Sequence, residues 1–355
     1  MPGLTIVSQP VTVVEHTSAA DFLSATYPTL RRHERSSNIV LAHALKRVNA
    51  EAVLTGCQFI TDSEVLLNPS LHTQHKDDSF WLTVWSSPTT TSPPSLDLVL
   101  SCVSSSLGNY PVFLWSPRLP STLTTSWLTP RITALIHRLY TCVHPERVFS
   151  VFGMTALVKT FARYWTTFTG FATEPHPFYK AYFTFCTPET FQDSPSPYQK
   201  EGNIRRATMV DIDSISKLCK EFADDSIYFP LSIDQARVEA GEMISKGQMW
   251  LYEVAGQTAA ICAVTRNSMT VSAITKVYTS PTWRRRGFAE HLVRYVTRRL
   301  FDCGKDTVVL YVGHENSAQR VYDRVGFVGL CGKDKPEGVE DSLELGFTGT
   351  ERGHW

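Results

Sequence analysis

Three consecutive arginines, Arg284, Arg285 and Arg286, are followed at once by Gly287 and, two residues on, by the small Ala289. Such a stretch can bind an anion. Gly287 and Ala289 let bare backbone N–H groups approach a ligand, the guanidinium groups add full positive charge, and a helix that starts here adds the partial positive charge of its N-terminus. The flanking sequence supplies that geometry. Residues 271–278 are rich in β-branched and aromatic side chains that roughly alternate, which predicts a strand. Residues 290–300 place Leu292, Val293, Val296 and Leu300 on one helical face and arginines on the other. Strand, basic glycine turn and helix together predict a cradle for phosphate oxygens. No Gly-Lys-Ser/Thr follows, which excludes a Walker loop, and the three-glycine dinucleotide fingerprint is absent as well.

A second constellation lies downstream. Residues 307–312 read as a strand and Gly313-His314-Glu315-Asn316 as the turn after it. Residues 317–325 then give a short helix with Val321 and Tyr322 inward, stopped by Gly326 and followed by a strand start at Phe327-Val328. The pattern Arg284-x-x-Gly287-x-Ala289 resembles the Gln/Arg-x-x-Gly-x-Gly/Ala signature of the GNAT superfamily, the acyl-CoA-dependent N-acyltransferases. Asn316, Ala318, Tyr322 and Gly326-Phe327 resemble that family's Asn, Ala, Tyr-x-x-x-Gly-Phe element, with the Asn-to-Tyr interval one residue shorter. The two elements stand in the family's order, one strand and one helix apart.

The resemblance implies acetyl-CoA, or another acyl-CoA, as co-substrate. It gives backbone groups of Val277 and Thr279 the pantetheine arm and the acyl carbonyl. Arg284 opens the loop, and the amides of Arg285, Arg286, Gly287, Phe288 and Ala289 hold the pyrophosphate. Asn316 is set against the pantetheine amides, or serves only as a turn residue. Tyr322 is the acid that protonates the departing CoA sulfur. The base is left open between groups at the carboxyl end of a strand, His314 and Glu315, each weighed against a solvated turn. Asp224, Asp225 and Tyr228 lie between the first two helices of the second half, the segment that covers the acceptor in such folds, where carboxylates can recognise a cationic amine. His72 and His75 have no third ligand nearby, so no metal is expected. The reading is an N-acetyltransferase acting on a small-molecule amine by direct transfer in a ternary complex. A non-catalytic acyl-CoA sensor or scaffold and an O-acyltransferase are the alternatives.

The rest of the chain must position these parts. In the first half, a strand-like stretch at 4–14 leads to helices at 21–35 and 38–48, a polar hairpin loop at 61–78 and strands at 80–85, 96–103 and 112–115. A helix at 130–143, a strand at 148–152, a helix at 157–169 and a strand at 178–185 complete it. That is the element order of the GNAT fold, so the resemblance extends to a degenerate first copy. Where a CoA loop belongs, Ser116-Pro117-Arg118-Leu119-Pro120-Ser121-Thr122 has no glycine, and its two prolines remove donors. A polar, proline-punctuated linker at 193–202 follows. The second half has helices at 209–223 and 233–246, a hairpin at 250–254 and 259–265, and a final strand of its own sheet at 343–347. The expected class is α+β, with tandem GNAT-like domains at 1–192 and 203–355, each a mostly antiparallel central sheet flanked by helices.

Bulk properties narrow the partners. At 355 residues, 43% hydrophobic and 19% charged, the chain has apolar material for two cores. Lys+Arg and Asp+Glu are both 34, which gives no general attraction to nucleic acid or an anionic membrane and makes the arginine triplet a local feature. No apolar run reaches membrane-spanning length, the N-terminus lacks a signal-peptide pattern, and the eight cysteines form no Cys-x-x-Cys pair. Reduced thiols and a cytoplasmic location are expected. Oligomeric state is left open.

Overall fold

Alternating apolar residues build strands, and here the strands of both halves join one sheet. The computed structural model describes residues 11–54, 79–87, 92–194, 202–225 and 228–354. The stretch 4–10, the loop at 61–78 with His72 and His75, and most of the linker lie outside these. The first half contains β1 (Val11–His16), α1 (Ala19–Arg32), α2 (Asn38–Leu54), β2 (Phe80–Ser86), β3 (Ser95–Cys102), β4 (Val112–Trp115), α3 (Thr125–Cys142), β5 (Ser150–Met154), α4 (Thr155–Thr169) and β6 (Tyr179–Cys186). The second contains β7 (Asn203–Arg206), α5 (Ile212–Asp224), α6 (Ile233–Ser245), β8 (Met249–Val254), β9 (Gln257–Asn267), β10 (Val271–Thr279), α7 (Phe288–Asp302), β11 (Thr307–Gly313), α8 (Gln319–Val325) and β12 (Glu340–Gly346). The two series repeat each other element for element.

The twelve strands run in the order β1-β2-β3-β4-β5-β12-β6-β11-β10-β9-β8-β7. Only β4 with β5 and β10 with β11 are parallel. The final strand departs from expectation. Instead of closing the second half's own stretch of sheet, β12 lies between β5 and β6, with Leu343 opposite Gly153 on one side and Lys180 on the other. Strand β6 in turn pairs with β11, Leu310 opposite Thr184. Alternation fixes which face a side chain takes, but any strand with a matching face can be the neighbour. Phe327-Val328 is likewise no strand. Phe327 is buried in the core, and the Val328 N–H donates to the Phe185 carbonyl at the end of β6.

Helices cover both faces. On one, α3 and α4 pack Leu135, Leu139, Phe161 and Trp165 against Leu82, Leu100 and Val151, joined by Leu343 and Phe347 from the tail. Beside them α7 and α8 pack Leu292, Val293, Val296 and Val325 on Cys262, Val308 and Leu310. The opposite face carries α1 and α2 on Trp81, Val99 and Phe113, and α5 and α6 on Leu251, Ile261 and Ala263. Each such fully buried side chain contributes about 1.5–3 kcal/mol over an exposed one.

Candidate active site

The two parallel strands of the second half stay together for three residue pairs, Val271 with Thr307, Ser272 with Val308 and Ala273 with Val309. From there β10 runs on to Thr279 with β9 as its only partner. The separation has a local cause. The β9–β10 register shifts twice near Val264 and Arg266, and the two extra residues, Thr265 and Thr275, bond hydroxyl to hydroxyl at 2.9 Å. Bulges bend and twist the strand that carries them, here away from β11. Alternate backbone groups of residues 274–279, Val277 and Thr279 among them, therefore lack a strand neighbour on the β11 side.

The basic turn sits at the end of this gap. After a 3-10 turn at Pro281–Trp283, Arg285 (φ 62°) and Gly287 (φ 77°) adopt left-handed backbone, and α7 begins at Phe288. No side chain caps α7. Its first N–H groups are left for an outside acceptor, at the positive end of the helix dipole. Arg285 and Arg286 are exposed, and Arg286 stacks on Trp283 at 4.9 Å. Arg284 folds back instead, donating to the Thr279 carbonyl (3.1 Å) and the Tyr278 hydroxyl (2.9 Å) and lying 3.5 Å from Asp225. The Thr279 carbonyl is thus already bonded. The Phe288 ring is buried in a stack on Tyr252 at 4.7 Å, Ala289 is half-buried, and Glu290 is tied to Arg294 and Arg324.

Tyr322, 8% exposed on α8, belongs to the core cluster that also holds Ile274 of β10, Phe288 of α7 and Val312 of β11. Burial, with lesser contributions from Cys262 and Tyr179, pushes its hydroxyl well above the usual phenol range. The hydroxyl is protonated at neutral pH even without that shift, and the shift makes it a weaker proton donor. Among the described residues its hydroxyl has no hydrogen-bond partner.

The other sequence candidates are dispersed. Asn316 is exposed, and its side chain accepts the Ala318 N–H at 2.8 Å, capping its own turn. His314 stacks on Tyr182 at 4.1 Å with Nε2 3.2 Å from Asp341, on the face that carries α8. Glu315 is exposed. Asp224 is exposed and paired with Lys220 at 2.7 Å. Tyr228 stacks on Phe178 at 4.3 Å beneath the Arg352 guanidinium, which pins the α5–α6 loop to the first half and the tail.

The sheet face opposite α7 and α8 carries polar residues that no motif marks. Glu239 of α6 pairs with Lys276 of β10 at 2.5 Å and lies 3.7 Å from His354 of the tail. Burial alone would raise this carboxyl, but Lys276 and His354 bring it down to about 2. Arg266 is buried, 5.5 Å over the Tyr311 ring. Glu344 of β12 is fully buried, accepts from the Ser150 hydroxyl at 2.7 Å and is pushed up by burial to about 8. Glu340 is raised, also by burial, to about 7. These residues come from α6, β9, β10, β12 and the tail, spread over more than a hundred positions, and no local pattern marks them. Among the described residues no group of His, Cys, Asp or Glu is arranged to hold a metal, and no helix is long and apolar enough to cross a membrane.

Residues 252–332, which span the gap, the turn and Tyr322, match the family described as FR47-like protein, a GNAT-related family. No curated protein matches the sequence. A Drosophila protein of known structure superposes with a TM-score of 0.55 at 12% identity, covering 95% of this chain and 99% of its own. A GCN5-related N-acetyltransferase from Sphaerobacter thermophilus aligns at TM-score 0.49 and 15% identity over 94% of each chain, and a GNAT-family acetyltransferase from Colwellia psychrerythraea at 0.45 and 10% over 95% of this chain and 99% of that one. The fold is α+β with one element order repeated in both halves, and the second half holds the FR47-like segment.

Proposed function

We propose that the second half binds an acyl-CoA, acetyl-CoA foremost, and transfers its acyl group directly to the amine of a small molecule within a ternary complex. The observation that carries this is the uncapped, glycine-turned start of α7, opening beside the length of β10 that has no partner on the β11 side, with Tyr322 in the core cluster that Ile274 and Phe288 share. The amides from Arg285 to Ala289 and the two outward arginines suit a diphosphate. Unpaired backbone along 274–279 suits the amides of a pantetheine arm laid in as a third strand edge. The neutral amine attacks the thioester carbon, the C–S bond breaks, the thiolate takes the Tyr322 proton, and the proton lost by the amine nitrogen passes through water to the Tyr322 phenolate, which restores it.

The test is calorimetric titration with acetyl-CoA, then thiol release over an amine panel, comparing wild type with Tyr322→Phe and Arg286→Ala. Tyr322→Phe is expected to lower kcat by about 100-fold or more, as loss of a general acid does, with binding retained. Binding without turnover on any amine supports a sensor instead. Turnover on hydroxylated acceptors alone supports O-transfer.

A further inference from the structure

A coenzyme laid along the α7 side of the gap leaves the opposite face of the sheet to the acceptor. What β10 presents on each face is set by its packing. In the stretch with no partner on the β11 side, Ile274 and Val277 join the core beneath α7, while Lys276 and Tyr278 turn toward α5 and α6. Lys276 meets Glu239 of α6 at 2.5 Å, and Glu239 in turn stands 3.7 Å from Nε2 of His354. All three side chains are largely buried.

His354 is held in place by its own stretch of chain. Its N–H donates to the Asn109 carbonyl at 2.7 Å, and Arg352 lies 3.7 Å from Glu174 and against the Phe178 and Tyr228 rings. Gly353 passes where a side chain would not fit, since a Cβ there would meet the Asn109 carbonyl oxygen at 2.0 Å. The imidazole is thus fixed two contacts from the unpartnered length of β10. A carboxylate facing Nε2 favours the tautomer with its proton on that nitrogen, which leaves the lone pair on Nδ1. Among the described residues Nδ1 has no hydrogen-bond partner. The charged and titratable groups around the ring are Glu239 from α6, Lys276 from β10 behind it, and Tyr110 from the turn before β4, whose ring lies 6.1 Å away and whose carbonyl holds Arg147 at 3.1 Å. The other described imidazole beside a carboxylate, His314, is on the face that carries α8.

We infer that His354 is the catalytic base for the acceptor and that Glu239 is the positioning residue that fixes its tautomer. The inference rests on the acyltransferase reading and narrows its acceptor to an amine that arrives as an ammonium ion. The ammonium N–H bond breaks, its proton joins Nδ1, the Glu239 carboxylate offsets the imidazolium charge, and the imidazolium releases the proton to water. This is the one proton that acylation of an ammonium ion sets free. The proton delivered to the thiolate, and the one that restores it, pass through Tyr322.

The experiment uses the full chain with acetyl-CoA and a panel of benzylamine, tyramine, putrescine and glycinamide. His354→Gln is expected to lower kcat/KM for the amine about 100-fold at pH 7, with the KM for acetyl-CoA within about twofold and the fold, read by circular dichroism, unchanged. The loss should shrink as pH rises toward the amine's own pKa, where the neutral acceptor needs no base, and added imidazole should restore part of it. Glu239→Gln should lower kcat less. In the chain carrying 15N-histidine, with the His354 signals identified as those missing in His354→Gln, Glu239→Gln should shift them toward a mixture of tautomers. Wild-type kcat/KM at pH 7 in His354→Gln, a loss that does not change with pH, or unmoved His354 signals in Glu239→Gln overturns the inference and leaves the acyltransferase reading standing. Absence of wild-type turnover on every amine overturns both.

Discussion

The two halves build the same strand-turn-helix unit twice, and only one is open. In the second half β10 outruns its pairing with β11 by six residues, from Ile274 to Thr279, and the turn enters α7 through Gly287 without a side-chain cap. In the first half β4 pairs with β5 from Val112 to Leu114 and ends one residue later, at Trp115. A Cβ on Gly153 would meet the Leu114 carbonyl oxygen at 2.4 Å, so the strands are pressed together where the others part. The turn into α3 is also filled. Thr124 caps the helix on the Trp127 N–H, and Arg118 and Arg131 lie over the Trp127 ring at 4.6 and 4.2 Å. The same topology thus gives a ligand cradle or a sealed joint, depending on one bulge pair, one glycine and one capping hydroxyl.

Breaking the sealed joint should harm stability and spare binding. Arg131→Met leaves Asp97, now 2.7 Å from Arg131 and buried with it, without its cation. A loss of about 3–5 kcal/mol in denaturant unfolding is expected, with unchanged acetyl-CoA affinity in the folded fraction. Breaking the open joint should do the reverse. Gly287→Val forces a β-branched residue to φ 77° and adds bulk against the phosphate path. Titration should show affinity down by about 100-fold, or roughly 2.7 kcal/mol.

The seam between the halves should answer to pH. Glu344 and Glu340 are raised to about 8 and 7, so the folded chain holds protons that the unfolded chain has released. Their stabilising contribution is complete below the ordinary carboxylate range and is lost as pH climbs through 7 and 8. Each adds a slope of at most about 1.4 kcal/mol per pH unit. Glu239, lowered to about 2, acts in the opposite sense only in acid, and His43, lowered by burial to about 3, together with His16, His33 and His291, also lowered by burial, opposes the pair up to the ordinary imidazole range, so melting between pH 7 and 8 isolates the pair. The wild-type midpoint should fall across that range, and Glu344→Gln should flatten the fall. The smallest effect sharpens the contrast: Thr124→Ala should cost about 1 kcal/mol of stability and nothing in acetyl-CoA binding.

Much of this was legible in the residues. Strand alternation at 271–278, the apolar stripe Leu292, Val293, Val296 and the glycine of the turn are local signals, and they stand where they were read. The Pro-rich, glycine-free 116–122 segment also marked the joint that is closed. Pairing partners were not legible. Nothing within residues 340–346 says that they neighbour Gly153 rather than a strand of their own half, because a face pattern is compatible with either. The Thr265–Thr275 bulge pair was invisible for a related reason, since two threonines ten residues apart look like ordinary strand positions. Glu239, Lys276 and His354 converge only after the sheet is assembled. Asn316 shows the converse, a motif residue whose own turn accounts for its side chain.

The placement of β12 also bears on how the molecule comes into being. Residues 340–346 are made after every other strand, so β5 and β6 cannot take up their native neighbour until they emerge. The first half is therefore completed last, by the chain's final segment. Two separately expressed pieces cut at the linker would each carry an unsatisfied sheet edge, ready to be taken by whatever strand arrives first.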